Sequence, residues 1–170
     1  MRKALFLDRD GVVNIEKDYL YKIEDFEFIE GIFDLCHYYQ SLGYEIFVVT
    51  NQSGIARSYY SQEDFSLLST WMVKAFKSNG IKITKVYHCP HHPSISGNCT
   101  CRKPHAGMLL NAEKDFDIDL SRSIIIGDKE TDIEAGLKAG LKYMYLFDET
   151  KNIKVSKATK IVSSLNEIWK

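Results

Sequence analysis

The sequence lacks long apolar runs and an excess of either charge. No stretch approaches the ~20 consecutive apolar residues that a membrane-spanning helix needs. The 22 basic and 23 acidic side chains leave a net charge of −1, which gives no general attraction to nucleic acid or to anionic membranes. The basic N-terminus leads into an apolar segment that is too short for a secretory signal peptide. We therefore expect a cytoplasmic protein that binds neither nucleic acid nor membrane.

Two common motifs of nucleotide-binding and hydrolytic proteins are also missing. There is no G-x-x-x-x-G-K-[ST] sequence for a P-loop and no G-x-S-x-G sequence for a serine hydrolase. Internal repeats and low-complexity linkers are absent. A chain of 170 residues can build one hydrophobic core without a disulfide framework. The sequence therefore predicts one domain over residues 1–170.

Short apolar runs alternate with helical patterns along the chain. A strand, a helix and a strand in repeated order predict a parallel sheet with helices on both faces, which is a Rossmann-like α/β fold. Ser61 and Asp64 form the sequence pattern of a capping box at the start of one helix. Strands are predicted at 3–7, 45–50, 85–89, 123–128 and 142–147, helices at 31–43, 62–77, 106–116 and 130–140, and a short strand and helix after residue 160.

Three of the four cysteines lie in the one long irregular segment, residues 88–107. Three thiols and one imidazole suit a closed, tetrahedral zinc site that is structural, because no position stays open for water. On spacing alone, His88 and His92 compete with His91 as the nitrogen ligand. Free buried cysteines are the competing interpretation, and they leave the clustering unexplained. The candidate ligands, in C-x-H and C-x-C patterns, are Cys89, His91, Cys99 and Cys101.

Polar residues follow several predicted strands directly. Asp8 and Asp10 come after the first strand, Thr50 ends the second, and Asp128 ends the fourth. Ligands of parallel sheets bind at the carboxyl ends of the strands, so these side chains are expected to converge. Charged groups beside a core need a cation, a partner charge or a reaction. Asp132 lies one helical turn after Asp128 and could face the same site, although the sequence assigns it no role.

Four motifs, DRDGVV, VVTNQSG, RKPHAG and GDKETD, occur in this order over nearly the whole chain. They resemble the ordered motifs of the haloacid dehalogenase-like (HAD) phosphatases. The resemblance implies that Asp8 attacks phosphorus to form an aspartyl-phosphate, and that Asp10 protonates the leaving group and then activates water. It also implies that Thr50 binds a phosphate oxygen and that Lys103 offsets its charge. Mg²⁺ would be held by Asp8, Asp128 and the backbone carbonyl of Asp10.

The chain is similar to a narrow group of HAD phosphatases that carry a zinc loop and no large cap domain. Residues 14–30 and 52–80 leave little room for a cap. This group includes heptose bisphosphate phosphatases and histidinol-phosphate phosphatases, and CRKPHAGML is similar to the heptose enzymes. The resemblance therefore implies removal of the C7 phosphate of D-glycero-D-manno-heptose 1,7-bisphosphate, in the biosynthesis of nucleotide-activated heptose. It selects His91 as the zinc ligand within a zinc loop at about 88–107.

The same resemblance implies the substrate contacts. The EKDY segment matches the loop that contacts the sugar in the heptose enzymes, and Arg102 would bind the phosphate that is not removed. We expect a monomer with a phosphorylated sugar as its small-molecule partner. The expected substrate-binding residues are Glu16, Lys17, Asp18, Tyr19, Asn51, Gln52, Ser53, Arg102 and Lys129.

Other functions remain open from the sequence. Histidinol-phosphate phosphatases share both metal motifs. A polynucleotide phosphatase would share the catalytic motifs but should show a basic groove. A non-enzymatic zinc-binding module would leave the strand-end aspartates without a role. DRDG could also begin an EF-hand calcium loop, but the later ligand positions and the closing Glu are not in place. Magnesium-dependent release of phosphate from a small substrate separates the main interpretation from the polynucleotide phosphatase and from the zinc-binding module.

Overall fold

Six strands form one parallel sheet in the order β3-β2-β1-β4-β5-β6 in the computed structural model, which describes residues 1–170. Each neighbouring pair is parallel, as the alternation of elements predicts. The strands are β1 Lys3–Leu7, β2 Tyr44–Asn51, β3 Ile83–Cys89, β4 Ile124–Gly127, β5 Tyr143–Phe147 and β6 Lys160–Val162.

Helices cover both faces of this sheet. The side chains of β1 show the division, because Leu5 and Leu7 belong to one hydrophobic cluster while Ala4 and Phe6 belong to the other. Helices α1 and α2 pack in the first cluster, and α4 and α5 pack in the second. The predicted α/β fold is confirmed. The helices are α1 Ile32–Ser41, α2 Gln62–Ser78, α3 Pro93–Ser96, α4 Gly107–Phe116 and α5 Glu130–Ala139, with 3₁₀ turns at Ile23–Asp25, Leu120–Arg122 and Leu165–Ile168.

Local sequence signals account for much of this. The capping box at the start of α2 is formed, since Ser61 Oγ accepts from the Asp64 N–H at 3.0 Å and the Asp64 carboxylate accepts from the Ser61 N–H at 2.8 Å. Two details differ from the expectations. The helix after residue 160 is only a 3₁₀ turn, and the irregular segment at 88–107 contains the short helix α3, which His92 caps.

The strand order places the candidate site. The chain runs outward from β1 through β2 to β3 and then returns to β4 on the other side of β1. Strand order therefore reverses between β1 and β4, where parallel sheets bind ligands beyond the carboxyl ends. The segment between β1 and α1 contains one 3₁₀ turn and no other helix or strand, so it forms no large cap over this edge. None of the helices combines the length and apolarity that crossing a bilayer requires.

The aromatic core beneath α2 is expected to determine stability. Phe76 is fully buried, and its ring centroid lies 5.2 Å from that of Phe33 and 5.7 Å from that of Phe28. We expect Phe76→Ala to lower the free energy of unfolding by about 3–5 kcal/mol, because it removes packing and leaves a cavity. Leu67, 66% exposed on the same helix, is the control, and Leu67→Ala should change stability by less than about 1 kcal/mol in urea unfolding. Equal losses for both would contradict the assigned core.

Candidate active site

A buried lysine joins two aspartates at the carboxyl edge of the sheet. The Lys103 ammonium lies 2.9 Å from Asp8 Oδ1 and 2.5 Å from Asp132 Oδ1, and it also donates to the carbonyl of Val49 at 2.7 Å. Its side chain is 4% exposed. These three contacts use all three hydrogens of the ammonium. The structure thus gives Asp132 the partner that the sequence did not assign.

The position of Lys103 is fixed through its backbone. Its N–H donates to Asn51 Oδ1 at 3.0 Å, and its carbonyl accepts from Asn51 Nδ2 at 3.1 Å. Asn51 is the last residue of β2, so these two hydrogen bonds attach the segment before α4 to the sheet. The predicted catalytic lysine therefore lies beside the predicted nucleophile, 95 residues earlier in the chain.

Negative charge exceeds positive charge in this cluster. Burial raises the pKa of Asp8 to about 7, although Lys103 acts in the opposite direction, and Asp128 raises it further. Burial also raises the pKa of Asp132 to about 6 and that of Asp128 above its usual value. Attraction to Asp132 and Asp8 outweighs burial at Lys103 and raises its pKa. One ammonium does not compensate two buried carboxylates and a third, partly buried one, so a further cation would be stabilised here.

Two of the three carboxylates, those of Asp8 and Asp128, are suited to bind such a cation. Oxygens of Asp8, Asp128 and Asp132 lie within 4.8 Å of one another. Both oxygens of Asp132 have donors, Lys103 at Oδ1 and the Lys129 N–H at Oδ2. Asp128 Oδ1, in contrast, is buried without any hydrogen-bond partner. A buried unpaired carboxylate oxygen is costly without a ligand, so Asp8 and Asp128 fit Mg²⁺ better than Asp132 does.

Two glycines make room for these carboxylates. Gly11 has φ +95°, and a Cβ there would overlap the carboxylate of Asp128. A Cβ on Gly127 would overlap the side chain of Asp132. The glycines of the DRDG and GD motifs are therefore required by the close approach of acidic side chains.

Asp10 is held in a set of donors beside the cluster. Gln52 Nε2 donates to Asp10 Oδ2 at 3.0 Å and to Thr50 Oγ1 at 2.8 Å. The hydroxyl of Tyr60 donates to Gln52 Oε1, which fixes the direction of the amide. Thr50 is fully buried and does not line the cavity beside Asp10. Its predicted contact with phosphate therefore stays a prediction.

A cavity of about 360 Å³ opens beside this cluster. Both cationic and anionic side chains line it. Two of them form an ion pair, with Glu16 Oε2 at 3.7 Å from Lys129 Nζ. Cations of this kind suit phosphate, while carboxylates and amides suit sugar hydroxyls. The lining residues are Asp10, Glu16, Asp18, Tyr19, Asn51, Gln52, Ser53, Tyr60, Arg102, Lys103, Lys129 and Thr131.

Eight of the nine predicted substrate-binding residues line this cavity, and Lys17 does not. Its ammonium pairs with Glu27 at 2.7 Å, on a part of the loop that faces another depression. Tyr60 and Thr131 line the cavity without having been predicted. Tyr60 lies outside every recognised motif, and Thr131 lies inside GDKETD, so only the second had a sequence signal.

The cysteine cluster forms a second site on the loop that precedes Lys103. His91 Nδ1 lies 3.6 Å from Cys89 Sγ and 3.4 Å from Cys101 Sγ, and the sulfurs of Cys89 and Cys99 lie 3.6 Å apart. Ligands of tetrahedral zinc are separated by about 3.5–3.8 Å, given Zn–S and Zn–N bonds of about 2.3 and 2.0 Å. The sulfurs of Cys89 and Cys101 are closer, at 2.8 Å, and all four cysteines are free thiols.

The competing histidines have other partners. His88 Nε2 lies 2.9 Å from Gln62 Oε1, and its ring stacks on Phe65 at 4.2 Å between centroids. His92 Nδ1 accepts from the Ser94 N–H at 3.2 Å as the cap of α3. His91 is the histidine within the cysteine cluster, which agrees with the ligand that the family resemblance selects.

The thiols of the cluster have unequal pKa values. Burial raises the pKa of Cys99, but the backbone N–H of Arg102 and hydrogen bonds with neighbouring thiols lower it to about 7. Burial raises the pKa of Cys89 and Cys101 above the usual range. Three adjacent thiols of this kind ionise together only beside a cation, so the donor set fits zinc.

Comparison with known proteins gives a consistent family. A family model described as HAD-hydrolase-like matches residues 100–168. The D-glycero-alpha-D-manno-heptose-1,7-bisphosphate 7-phosphatase of Campylobacter jejuni is 56% identical over 149 residues, which cover 88% of this chain and 84% of that protein. The D-glycero-beta-D-manno-heptose-1,7-bisphosphate 7-phosphatase of Helicobacter pylori is 48% identical over 141 residues, covering 82% of this chain and 80% of that protein.

A solved structure supports the same grouping. The crystal structure of D,D-heptose 1,7-bisphosphate phosphatase from B. bronchiseptica, complexed with magnesium and phosphate, matches with a TM-score of 0.84 and 28% identity, covering 98% of this chain and 95% of that chain. Similarity over most of both chains, together with the strand-end aspartates and the cysteine cluster, shows that this protein belongs to the heptose-bisphosphate 7-phosphatase family of HAD-like hydrolases.

Proposed function

We propose that this protein is a magnesium-dependent phosphatase that removes the C7 phosphate from D-glycero-D-manno-heptose 1,7-bisphosphate, in the biosynthesis of nucleotide-activated heptose. The observation that carries the proposal is the pairing of buried Asp8 with Lys103 beside a cavity that also contains Arg102 and Lys129. The names of the curated relatives supply the sugar. A bisphosphate carries two anionic groups, one for Lys103 and one for the further cations of the cavity, Arg102 and Lys129.

The first step transfers the phosphoryl group to Asp8. Lys103 and the Arg9 N–H both donate to Asp8 Oδ1, at 2.9 Å each, and thereby orient the carboxylate. A carboxylate oxygen of Asp8 forms a bond to phosphorus while the bond from phosphorus to the C7 oxygen breaks. Asp10 gives its proton to that oxygen, so the sugar leaves as an alcohol.

The second step regenerates the enzyme. Asp10, now a carboxylate, takes a proton from water as the water attacks phosphorus, and the bond from phosphorus to Asp8 breaks. Inorganic phosphate leaves, and Asp10 again carries a proton. Lys103 stays beside the phosphoryl group during both transfers and offsets its negative charge.

Asp8 and Asp128 are the carboxylates that would hold Mg²⁺, with the carbonyl of Asp10 as the further ligand that the family resemblance implies. The bound ion supplies positive charge that reduces repulsion between these carboxylates and the phosphate. Asp132 remains with Lys103 as its counter-ion.

Substrate recognition is proposed for the lining residues of the cavity. Arg102 follows the last cysteine of the cluster, and its Nη1 donates to the carbonyl of His91 at 3.4 Å. The zinc loop would in this way position Arg102 for the phosphate at C1 and Lys103 for the phosphate at C7. Glu16, Asp18 and Tyr19 come from the opposite loop and would contact sugar hydroxyls, as would Asn51, Gln52 and Ser53.

We further propose that residues 1–170 act as one domain and that a monomer is sufficient, because one chain supplies every lining residue of the cavity. Free thiols arranged for zinc are typical of a reducing compartment, which supports a cytoplasmic location. The charge balance supports a small phosphorylated substrate over nucleic acid or a membrane surface.

Replacing the nucleophile tests the reaction. We expect Asp8→Asn to abolish phosphate release from the heptose bisphosphate while the melting temperature stays within a few degrees, because an amide is a poor nucleophile and a weaker Mg²⁺ ligand. Asp25→Asn, on an exposed 3₁₀ turn, is the matched control and should retain wild-type turnover. More than a small fraction of activity in Asp8→Asn would exclude the covalent mechanism. Histidinol phosphate belongs in the same assay, and a preference for it would replace the proposed substrate.

The zinc site can be tested by metal content. Protein purified without chelator should contain about one zinc per chain. Cys99→Ser should lose most of that zinc, lower the melting temperature and raise KM for the bisphosphate, because Arg102 loses its support. Cys36, a buried residue of α1 outside the cluster, is the control, and the Cys36→Ala protein should keep its zinc. Wild-type protein without zinc would contradict the site.

The two adjacent cations should differ in selectivity. We expect Arg102→Ala to lower kcat/KM for the bisphosphate by about 10–100-fold, the loss of a charged hydrogen bond, and to affect a sugar monophosphate much less. Lys103→Ala should lower kcat/KM strongly for both substrates, since it removes the partner of Asp8. The measurement is steady-state phosphate release from both substrates. An equal loss on both substrates for Arg102→Ala would show that Arg102 does not bind the second phosphate.

A further inference from the structure

Arg9, the residue between the two catalytic aspartates, has a side chain that the mechanism above does not use. Its side chain is 1% exposed, so its charge is removed from water. A buried guanidinium needs a charged partner and hydrogen-bond acceptors. The acceptors are the two oxygens of the Asp10 carboxyl group, which is a carboxylate between the two steps of the mechanism: Nε donates to Oδ1 at 3.3 Å, and Nη2 donates to Oδ1 at 3.0 Å and to Oδ2 at 3.1 Å.

The guanidinium also contacts the loop that contains Asp18, Tyr19 and Leu20, which we call the substrate loop. Nη2 also donates to the carbonyl of Leu20 at 2.8 Å, while Nη1 is buried without a partner. Leu20 follows Asp18 and Tyr19, which line the cavity and have left-handed backbone angles of φ 37° and 56°. Residues other than glycine seldom adopt such angles, and bulky residues such as Tyr19 do so least often, so neighbouring contacts matter here. One guanidinium thus contacts both Asp10 and the loop beside the cavity.

The backbone of Arg9 makes the contact specific. Its N–H donates to Asp8 Oδ1 at 2.9 Å, and its carbonyl accepts from the backbone N–H groups of Val12, Val13 and Asn14. The turn after β1 is therefore fixed at Arg9, and the side chain is directed back across Asp10. Asn14 Nδ2 adds a further donor at Asp10 Oδ1, at 3.0 Å.

We propose that Arg9 is a positioning residue: its planar guanidinium holds the Asp10 carboxyl group in the orientation from which it protonates the leaving oxygen, and attaches it to the substrate loop at Leu20. The proposal rests on the acid role of Asp10 given under the proposed function. A lysine at this position keeps the charge but has no planar fork, so it cannot hold both oxygens of the carboxylate in one plane.

The test measures kcat/KM for a series of substituted phenyl phosphates, plotted against the pKa of the phenol that is released. These substrates make no sugar contacts, and kcat/KM includes only the steps up to phenol release. When protonation of the leaving oxygen fails, poor leaving groups lose more rate than good ones. Arg9→Lys should therefore lose about 10–100-fold on the poorest leaving group and less than about threefold on the best.

Three further proteins complete the experiment. Asp10→Asn should show the steepest dependence, and if its slope equals that of wild type, the acid role of Asp10 fails independently of Arg9. Leu68→Ala, which truncates a fully buried core residue of α2 away from Asp10, should keep the wild-type slope even if the protein is less stable. Arg9→Gln replaces Arg9→Lys if the latter does not fold.

The outcome for Arg9 is decided by the slope. A steeper slope in Arg9→Lys or Arg9→Gln, with the slope of Leu68→Ala unchanged, supports the positioning role. A wild-type slope in a folded Arg9 variant overturns it, as does failure of both Arg9 variants to fold, because Arg9 would then serve stability alone.

Discussion

The ion pairs of Lys103 with Asp8 and Asp132 are the interaction on which the site depends. They join the end of β1, the segment before α4 and the start of α5, three parts of the chain that meet only in the folded protein. A buried ammonium is stable only with such partners. Two hydrogen bonds with Asn51 fix the backbone of Lys103, and Gly127 leaves room for the side chain of Asp132. Much of the local sequence serves this one contact.

The same contact explains why the site suits phosphoryl transfer. Lys103 compensates part of the acidic cluster, and the surplus negative charge, with Asp128 Oδ1 unpaired, favours a divalent cation. In the proposed mechanism a phosphate ester would contact Lys103 and the cation, with Asp10 beside its leaving oxygen. Arg102 and Lys129 extend the positive charge away from the reacting group. This distribution favours a substrate with two phosphates, and it is consistent with the names of the relatives.

Sequence predicts the parts that local rules determine. The apolar run of β1, the capping box of α2 and the order of strands and helices follow from periodicity and short-range hydrogen bonding, and all of them appear in the structure. The cysteine spacing indicates zinc but does not select one histidine among His88, His91 and His92, because the direction of each ring depends on its contacts in the folded chain. Lys17 likewise follows its tertiary partner Glu27 and lies away from the cavity, so its predicted contact with substrate stays a prediction. The contacts of Asp132 with Lys103, of Arg9 with Leu20 and of Tyr60 with Gln52 join residues that no local pattern pairs.

The proposed mechanism requires that the phosphoryl group is bonded covalently to Asp8 before it is transferred to water. The most direct measurement is the stereochemical course at phosphorus. The substrate carries a thiophosphoryl group that one sulfur atom and different oxygen isotopes make chiral. Each in-line displacement inverts the configuration at phosphorus, so transfer first to Asp8 and then to water involves two inversions. Transfer through Asp8 therefore gives net retention of configuration in the released thiophosphate. Net inversion would show a single displacement by water and would contradict the role assigned to Asp8.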